Sequence, residues 1–235
     1  MNRLSILKEE LRRMADPAKK TVLQRFFKTG PGEYGEGDVF LGITVPRLRA
    51  VVRRYGDLSW KDLHDLLSRG VHEERLLALL VLVERFQKGG EVDRRNVFGF
   101  YRRHRRRVDN WDLVDASAPT IPGGWLADRD RSVLDGWARS KNLWERRQAI
   151  LATFHFIRRG EVKDTLRLAG FLMDDEEDLI HKAVGWMLRE AAKRDLPSVE
   201  KFLRRFQKRM PRTMLRYAIE RFPEKKRKAY LEGRF

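Results

Sequence analysis

The feature that most limits the fold of this chain is a helical pattern that recurs at a nearly constant spacing. Apolar residues follow helical periodicity over three long segments, 73–86, 143–159 and 175–193. Ala149 and Ala183 lie 34 residues apart, and Ala78 lies 71 residues before Ala149, which is about two such periods. Helix pairs at this spacing are typical of HEAT or TPR repeats, and no segment alternates as a strand does. The sequence therefore predicts an all-α fold, an α-solenoid of HEAT-like helical repeats, in preference to a generic helical bundle.

Shorter segments complete the pattern. Six further helices are predicted, at 2–14, 17–28, 60–67, 92–100, 129–138 and 162–172. The glycine-rich stretch 29–38 lacks the Gly-Lys-Ser/Thr ending of a phosphate-binding loop, and its acids would repel a triphosphate, so we expect a turn-rich connector that contacts DNA through backbone amides. A second turn-like stretch, 119–124, is expected to end the helix before it. We expect one domain that covers residues 1–235.

The charge of the chain indicates a polyanionic partner. Lys and Arg number 51 against 34 Asp and Glu, which gives a formal net charge of +17 that internal ion pairs do not cancel. Such an excess destabilises a compact fold by self-repulsion and is most often used to bind nucleic acid. No run approaches the ~20 apolar residues of a membrane span, and the N-terminus lacks a signal-peptide core. We expect a monomeric protein of a bacterial or archaeal cytosol, associated with the nucleoid and not with a membrane.

The chain carries no cysteine, and its five histidines show no ligand spacing, so neither a metal nor a cofactor is predicted. A tryptophan and a carboxylate, Trp111 and Asp115, follow a strongly basic run at 101–107. Residues four apart share one face of a helix. A carboxylate on a basic surface repels the phosphates that the surface attracts, so Asp115 is expected to have a different role.

The repeat spacing suggests which other residues share that surface. The second helix of each pair usually lines the concave side of a solenoid. Stepping one period along the chain predicts a common basic lining formed by Trp111, Asp115, Arg147, Lys182 and Trp186. In contrast, Asp112 is expected to be a cap or an ion-pair partner, and the other four tryptophans are expected to be core or partly buried: Trp60, Trp125, Trp137 and Trp144.

Four fragments together resemble the AlkD-type DNA alkylation repair family, whose members are HEAT-like-repeat DNA glycosylases. They are Phe40-Leu-Gly-Ile-Thr-Val-Pro46, Trp111-Asp-Leu-Val-Asp115, Asn142-Leu-Trp-Glu-Arg-Arg-Gln-Ala-Ile150 and Lys182-Ala-Val-Gly-Trp-Met-Leu-Arg-Glu190. Their order and spacing fit the family across nearly the whole chain. The chain departs from the family at Asn110, where a second aromatic is common, and at Phe26, which replaces a tyrosine.

The resemblance implies cleavage of the N-glycosidic bond of N3- or N7-alkylated purines in duplex DNA. It assigns Asp115 as the catalytic carboxylate, Trp111 and Trp186 as the aromatic pair at the lesion, and Arg147 as a basic residue of that site. It also transfers DNA contacts to six residues: Phe26, Lys28, Thr44, Arg49, Lys182 and Arg189. The partner implied is double-stranded DNA containing alkylated purines.

The chemistry of the lesion explains why so few residues suffice. A cationic alkylpurine leaves as a neutral base without a general acid, and one fixed carboxylate can stabilise the oxocarbenium-like sugar and orient a water. No lysine matches the expected constellation, which predicts a monofunctional enzyme without a Schiff-base lyase step. Two alternatives remain open: a non-catalytic helical-repeat protein that binds DNA or RNA, and a protein-interaction scaffold.

Overall fold

The computed structural model describes residues 2–68 and 70–235. Over these residues the chain is helical, with no β-strand and a single isolated bridge between Val39 and Val71. The prediction of an all-α class is thereby confirmed. None of the described helices is both long and apolar enough to cross a membrane.

Fifteen α-helices occur in the described part of the chain, together with one turn of 3-10 helix at Arg105–Arg107. In chain order they are α1 (Arg3–Arg13), α2 (Pro17–Phe26), α3 (Val45–Val52), α4 (Trp60–Leu67), α5 (His72–Lys88), α6 (Glu91–His104), α7 (Trp111–Ser117), α8 (Ile121–Leu126), α9 (Val133–Ala138), α10 (Leu143–Arg158), α11 (Lys163–Phe171), α12 (Asp178–Ala192), α13 (Leu196–Phe206), α14 (Arg212–Ala218) and α15 (Glu224–Leu231).

The helices form two compact units, Met1–Ser117 and Ala118–Phe235. In the first unit, α5 is central and packs against α3, α4, α6 and α7. A buried ion pair between Lys8 and Glu74, 2.6 Å from Nζ to Oε2, joins α1 to this central helix. Removing one partner of such a pair would leave an uncompensated buried charge, so the pair fixes how α1 docks. The expectation of one domain over residues 1–235 stays a prediction.

The loop after α2 brings the segment 40–43 against the start of α5. The buried carboxylate of Glu73 accepts backbone N–H bonds from Leu41 (2.8 Å), Gly42 (2.8 Å) and Ile43 (3.1 Å). Gly42 has a φ of +88°, and a Cβ there would collide with the carbonyl oxygen of Asp16. Only glycine combines this left-handed backbone with so close an approach. The 40–43 segment is therefore held in place by three hydrogen bonds to Glu73 and by the close approach of Gly42 to Asp16.

In the second unit, α10, α12 and α14 pack side by side, and shorter helices flank them. A Cβ at Gly123 of α8 would collide with the backbone of α10 at Ala152, and a Cβ at Gly185 of α12 would collide with α14 at Met214. These glycines allow neighbouring helices to approach closely. Ala149 and Ala183 are fully buried on α10 and α12. The stacking of helix pairs within this unit is the repeat arrangement that the spacing predicts.

The predicted helices agree with the observed ones within a few residues, with two exceptions. The turn expected at 119–124 is wrong in part, because the chain breaks after Ser117 but resumes helix at Ile121. Pro122 is tolerated there because the first turn of a helix needs no N–H donor from it. The helix expected at 129–138 begins only at Val133, since Asp130 accepts the backbone N–H of Ser132 in a turn.

Candidate functional site

Trp111 and Asp115 both lie on α7, one turn apart, as their spacing predicts. The buried side chain of Asn110 accepts the backbone N–H of Trp111 at 2.8 Å, and the Asn110 carbonyl accepts that of Val114 at 3.1 Å. The helix therefore begins at Trp111. Leu113 and Val114 are buried, whereas Trp111 and Asp115 are half-buried. One face of α7 packs into the first unit and leaves these two side chains partly accessible.

A stack of three aromatic rings fixes the position of Trp111. Its indole lies nearly parallel to Phe27, with ring centroids 4.9 Å apart and planes 8° apart. Phe40 also stacks on Phe27, with ring centroids 4.9 Å apart. Phe26 meets the indole edge-on at 5.8 Å and is itself 61 % exposed. Offset and edge-on aromatic pairs add about 0.5–1.5 kcal/mol each beyond the area they bury, so this stack has a defined geometry.

A cluster of buried charges lies beside the stack. His72 binds a carboxylate at each ring nitrogen: Nδ1 is 2.7 Å from Asp38 Oδ2, and Nε2 is 2.8 Å from Asp112 Oδ2. Arg75, one turn further along α5, pairs with Asp38 at 2.6 Å and also with Asp109. The cluster contains two basic side chains and three acids, so their charges nearly balance when His72 is protonated. Asp112 is the ion-pair partner that the sequence predicts.

The surroundings of His72 determine its charge. Burial disfavours the imidazolium, but the hydrogen bonds and negative charges of Asp112 and Asp38 outweigh burial and raise the pKa of His72 to about 9. Burial likewise disfavours the ionised form of Asp38, and His72 together with Arg75 outweighs it and lowers the pKa of that carboxyl. At neutral pH both ring nitrogens of His72 therefore donate.

A groove of about 660 Å³ opens beside Trp111 in the first unit. Its lining is predominantly apolar and comes from α2, the 40–45 segment and the starts of α5 and α7. Val22, Phe26 and Val45 contribute exposed apolar surface, and Asp112 is one of the polar residues of the lining. Three residues predicted to contact DNA or the lesion, Phe26, Thr44 and Trp111, thus line one concavity. Such mostly apolar clefts with few polar groups are typical ligand sites.

Asp115 lies near the buried hydroxyl of Tyr101. Burial raises the pKa of Tyr101, a hydrogen bond with Ser117 at 3.3 Å opposes this rise, and the negative charge of Asp115 adds to it. The Ser117 hydroxyl in turn donates to the carbonyl of Leu113 at 2.6 Å. The carboxylate is therefore close enough to Tyr101, near the end of α6, to act on it electrostatically.

The remaining candidates of the first unit lie at its surface. Lys28 is exposed and has a φ of +52°, which places it in the tight turn that follows α2. Thr44 is exposed at the N-terminal boundary of α3 and makes no side-chain capping bond there. Arg49 is exposed on α3. Their roles at DNA stay predictions.

The glycine-rich stretch 29–38 satisfies several of its amides internally. The backbone N–H of Gly30 donates to Glu33 at 2.9 Å, and that of Gly32 donates to Glu36 at 3.0 Å. The loop ends at Asp38, inside the charged cluster. It is a turn-rich connector, as expected. Because its acids already accept these amides, the predicted amide contacts with DNA would have to displace them.

In the second unit, Trp186 and Arg147 have different environments. Trp186 is half-buried on α12, with Phe154 of α10 at 5.8 Å. Arg147 is 5 % exposed, and its Nη1 donates to the carbonyl of Leu179 at 2.7 Å. That bond joins α10 to the first turn of α12.

Lys182 and Arg189 lie on the same helix as Trp186, and each pairs with an acid. Lys182 Nζ is 2.6 Å from Asp178 Oδ2, and Arg189 contacts Glu220 and, at 3.4 Å, Glu190. The pairs with Asp178 and Glu220 involve acids that are about half exposed. Such pairs exchange readily with other anions, because exposed ion pairs contribute little to stability.

The other expectations for tryptophan are confirmed except for Trp60. Trp137 and Trp144 are buried and Trp125 is half-buried, whereas Trp60 is 41 % exposed. The ring of Trp60 lies 5.2 Å from that of Phe100 and beneath the guanidinium of Arg85. Contacts with Phe100 and Arg85 therefore hold the partly exposed ring in place at the surface.

Sequence reasoning did not find His72, Asp38, Phe27 or Phe40. His72 shows no ligand spacing to the other histidines, and its partners are carboxylates rather than metal ligands. A signal was present, since Asp38 and Asp112 lie 34 and 40 residues from His72, close to one repeat period. Residues one period apart lie on adjacent helix pairs, where such contacts form. No group of three or more possible metal ligands occurs among the described residues.

Three comparisons place these features in context. A family model described as DNA alkylation repair enzyme matches residues 7–222. None of the curated proteins compared matches the sequence significantly. The fold is similar to the solved structure of a predicted DNA alkylation repair enzyme from Enterococcus faecalis, with a TM-score of 0.70 and 17 % identity over 90 % of this chain and 98 % of that one. Because the family model spans most of the sequence, this protein belongs to the DNA alkylation repair enzyme family.

Proposed function

We propose that this protein is a monofunctional DNA glycosylase that hydrolyses the N-glycosidic bond of cationic N3- or N7-alkylated purines in duplex DNA, the first step of base excision repair. The observation that carries the proposal is the arrangement of α7 in a member of this family. Trp111 and Asp115 are half-buried on consecutive turns, and a ring stack and a charged cluster fix the helix that bears them.

The positive charge of the alkylated base makes the glycosidic bond easier to break. Alkylation at N3 or N7 places a positive charge on the purine, so the bond from C1′ to N9 breaks with its electron pair going to a base that leaves neutral. The sugar becomes oxocarbenium-like, as in glycoside hydrolysis. The protein then needs to stabilise that cation and supply a water, and no general acid is required.

Asp115 is the group proposed to meet both needs. Its carboxylate stabilises the developing positive charge at C1′ and accepts a hydrogen bond from the attacking water. The water oxygen bonds to C1′, its proton passes to the carboxylate and then to solvent, and the product is an abasic site. Fixed charge of this kind is commonly the largest catalytic contribution, provided that it needs no reorganisation.

Trp111 is proposed to contact the lesion nucleotide through its indole. An aromatic face attracts a neighbouring cation, and the stack with Phe27 leaves the ring little freedom to turn away. The adjacent groove receives apolar parts of the nucleotide. In the second unit, Trp186 is proposed to make a similar contact.

Lys182 and Arg189 are proposed to bind phosphates by exchanging their acidic partners for DNA. Phosphate contacts carry no sequence information, which suits the repair of damage at any sequence. Arg147 is proposed to act mainly through α12, because its guanidinium is buried and bonded to Leu179. Phe26, Lys28, Thr44 and Arg49 are proposed as DNA contacts of the first unit.

The decisive experiment measures base release from duplex DNA that contains 7-methylguanine, under single turnover. We expect the wild type to exceed the spontaneous rate and Asp115→Asn to lose roughly 10²–10³-fold, the range for removing one preorganised stabilising group. Asp62→Asn, which alters a carboxylate in the cap of α4, is the matched control and should keep the wild-type rate. The abasic product should remain uncleaved.

The net charge of +17 favours a second candidate, a non-catalytic protein that binds DNA or RNA. In that case wild type and Asp115→Asn both release base at the spontaneous rate, and Asp115→Ala binds undamaged duplex as well as the wild type or better. Base release above background by the wild type excludes this candidate.

A further inference from the structure

The charged cluster beneath Trp111 contains a buried group to which the proposed chemistry gives no role. His72 is 2 % exposed, and both its ring nitrogens are occupied by carboxylates from different segments. Asp38 ends the glycine-rich loop, and Asp112 is the second residue of α7. A single imidazole ring thus links α5 to the start of the helix that carries Trp111 and Asp115.

The same ring is part of the aromatic stack. His72 lies 4.3 Å from Phe40 in a stacked arrangement and 5.0 Å from Phe27. Phe27 in turn lies parallel to Trp111. Any displacement of His72 is therefore transmitted to the indole along two routes, through the Asp112 carboxylate and through the Phe27 ring.

We propose that His72 is a positioning residue: the doubly hydrogen-bonded ring holds the first turn of α7 and the Phe27 ring in place, and so sets the orientation of Trp111 and Asp115. This inference rests on the proposed function for its consequence in catalysis. It does not make His72 a catalytic residue, because the ring is buried and reaches the substrate only through its neighbours.

The double hydrogen bond requires a protonated ring. A neutral imidazole donates from one nitrogen, so its other nitrogen would turn a lone pair toward a carboxylate. Asp112 is the more exposed of the two partners, with 17 % of its side chain exposed against 5 % for Asp38, and it would move first. The first turn of α7 would then loosen. Because the pKa of His72 is raised to about 9, this loosening is expected only in alkaline solution.

The other charged groups near the ring keep it protonated at neutral pH. Arg75 shares Asp38 with His72 and is itself held by Asp109. Glu73 precedes Arg75 on α5, but its carboxylate is occupied by the amides of residues 41–43. Lys19 lines the same groove and pairs with Asp16 at 2.7 Å. The acids that touch the ring directly therefore dominate its titration.

Two measurements on wild type and His72→Gln test the inference. Glutamine preserves a donor but can serve only one carboxylate. We expect single-turnover base release to fall roughly 10–100-fold, the effect of a misplaced group on a rate that depends on orientation. Affinity for undamaged duplex should stay within about twofold. The ratio of wild-type to variant rates should decline as pH rises through about 9, and this ratio cancels any titration of the lesion.

The second readout does not depend on activity. With 5-fluorotryptophan incorporated, the fluorine resonance of Trp111, identified by its loss in Trp111→Phe, should shift with a midpoint near pH 9 in wild type and not in His72→Gln. His104→Gln, which alters a part-buried histidine of α6 that is bonded to His64, is the matched control and should behave as wild type in both measurements.

The outcomes separate the two proposals. If His72→Gln does not fold, Asp112→Asn takes its place, because it weakens one arm and retains the contact of His72 with Asp38. A folded variant with the wild-type rate, pH profile and Trp111 resonance overturns the positioning role, as does a wild-type Trp111 resonance with no transition between about pH 7 and pH 10. If wild type shows only spontaneous base release, the proposed function is wrong, and the Trp111 resonance still decides whether His72 positions α7.

Discussion

In the first unit, Trp111 and Asp115 lie on a short helix, α7, whose start is fixed by buried charge and stacked rings. In the second unit, by contrast, Lys182 and Arg189 lie on a long helix, α12, and pair with acids at the surface. The side chains of His72, Asp38 and Arg75 are buried, with at most 8 % exposed, while Asp178 and Glu220 have about half of their side chains exposed. Buried networks are rigid because breaking one bond strands a charge, and exposed pairs exchange at little cost. The difference suits the orienting role proposed for the first unit and the phosphate binding proposed for the second.

The largest expected effect is on stability and separates the two kinds of ion pair. Asp38→Ala removes the partner of both His72 and Arg75 and should lower the free energy of unfolding by about 3–5 kcal/mol. Asp178→Ala removes an exposed partner of Lys182 and should cost less than about 1 kcal/mol. Urea unfolding followed by circular dichroism measures both. Equal losses would show that the two environments do not differ as described.

The next largest expected effect is the dependence of folding stability on pH, which has opposite signs for a histidine of the first unit and a histidine of the second. The folded-state pKa of His72 is raised to about 9 from 6.5, so its stabilising contribution is complete below about pH 6.5 and is lost as pH rises through about 9. Burial and then the charges of Arg159 and Arg158 lower the pKa of His155, so protonation of His155 destabilises the fold as pH falls below the unfolded-state pKa.

Thermal unfolding midpoints measured across pH test this pair of signs. His72→Gln should remove the loss of stability at alkaline pH, and His155→Gln should remove the loss at acidic pH. In each variant the pH dependence on the other side should be unchanged. An alkaline loss that persists in His72→Gln would assign it to other groups, and the pKa assigned to His72 would then be wrong.

The smallest expected effect is on DNA affinity. Lys182→Ala should weaken binding to undamaged duplex by roughly three- to tenfold and reduce the salt slope by about one, as loss of one phosphate contact does. Glu220→Gln removes the more exposed of the two acidic partners of Arg189 and should strengthen binding about two- to threefold. Glu232→Gln, which frees Arg234 near the C-terminus, is the matched control. Fluorescence anisotropy at several salt concentrations gives these values. An unchanged salt slope in Lys182→Ala would remove Lys182 from the DNA-binding surface.

Some features were accessible from sequence because they depend on neighbours along the chain. The limits of α4, α5 and α10 follow from local periodicity, and all three were predicted within a few residues. The pairing of Trp111 with Asp115 on one face of a helix needs only the helical repeat. The residue type of Asp112 and its place in a short helix predict a cap or an ion-pair partner, and it pairs with His72.

Other features escaped sequence reasoning because they arise between segments distant in the chain. Nothing near His72 indicates that its ring lies between Asp38 and Asp112. Pro122 and the glycines after it are helix breakers in isolation and predict a turn, but the chain forms a helix from Ile121, and Gly123 is needed for the close approach of α8 to α10. Likewise, the buried guanidinium of Arg147 donates to the carbonyl of Leu179, which lies 32 residues away in the chain.

The sequence by itself determined that this chain is helical, that its helices recur in pairs, that it carries a large positive charge and that a tryptophan and a carboxylate share a face of α7. Each of these depends only on residue type and spacing, which can be read from the sequence. Only the tertiary structure decided which acids are held by buried cations and which rings stack on Trp111. The physical reason is that the pKa of His72 and the orientation of an indole are set by groups brought together from α2, the glycine-rich loop, α5 and α7, and these contacts exist only once the helices have packed.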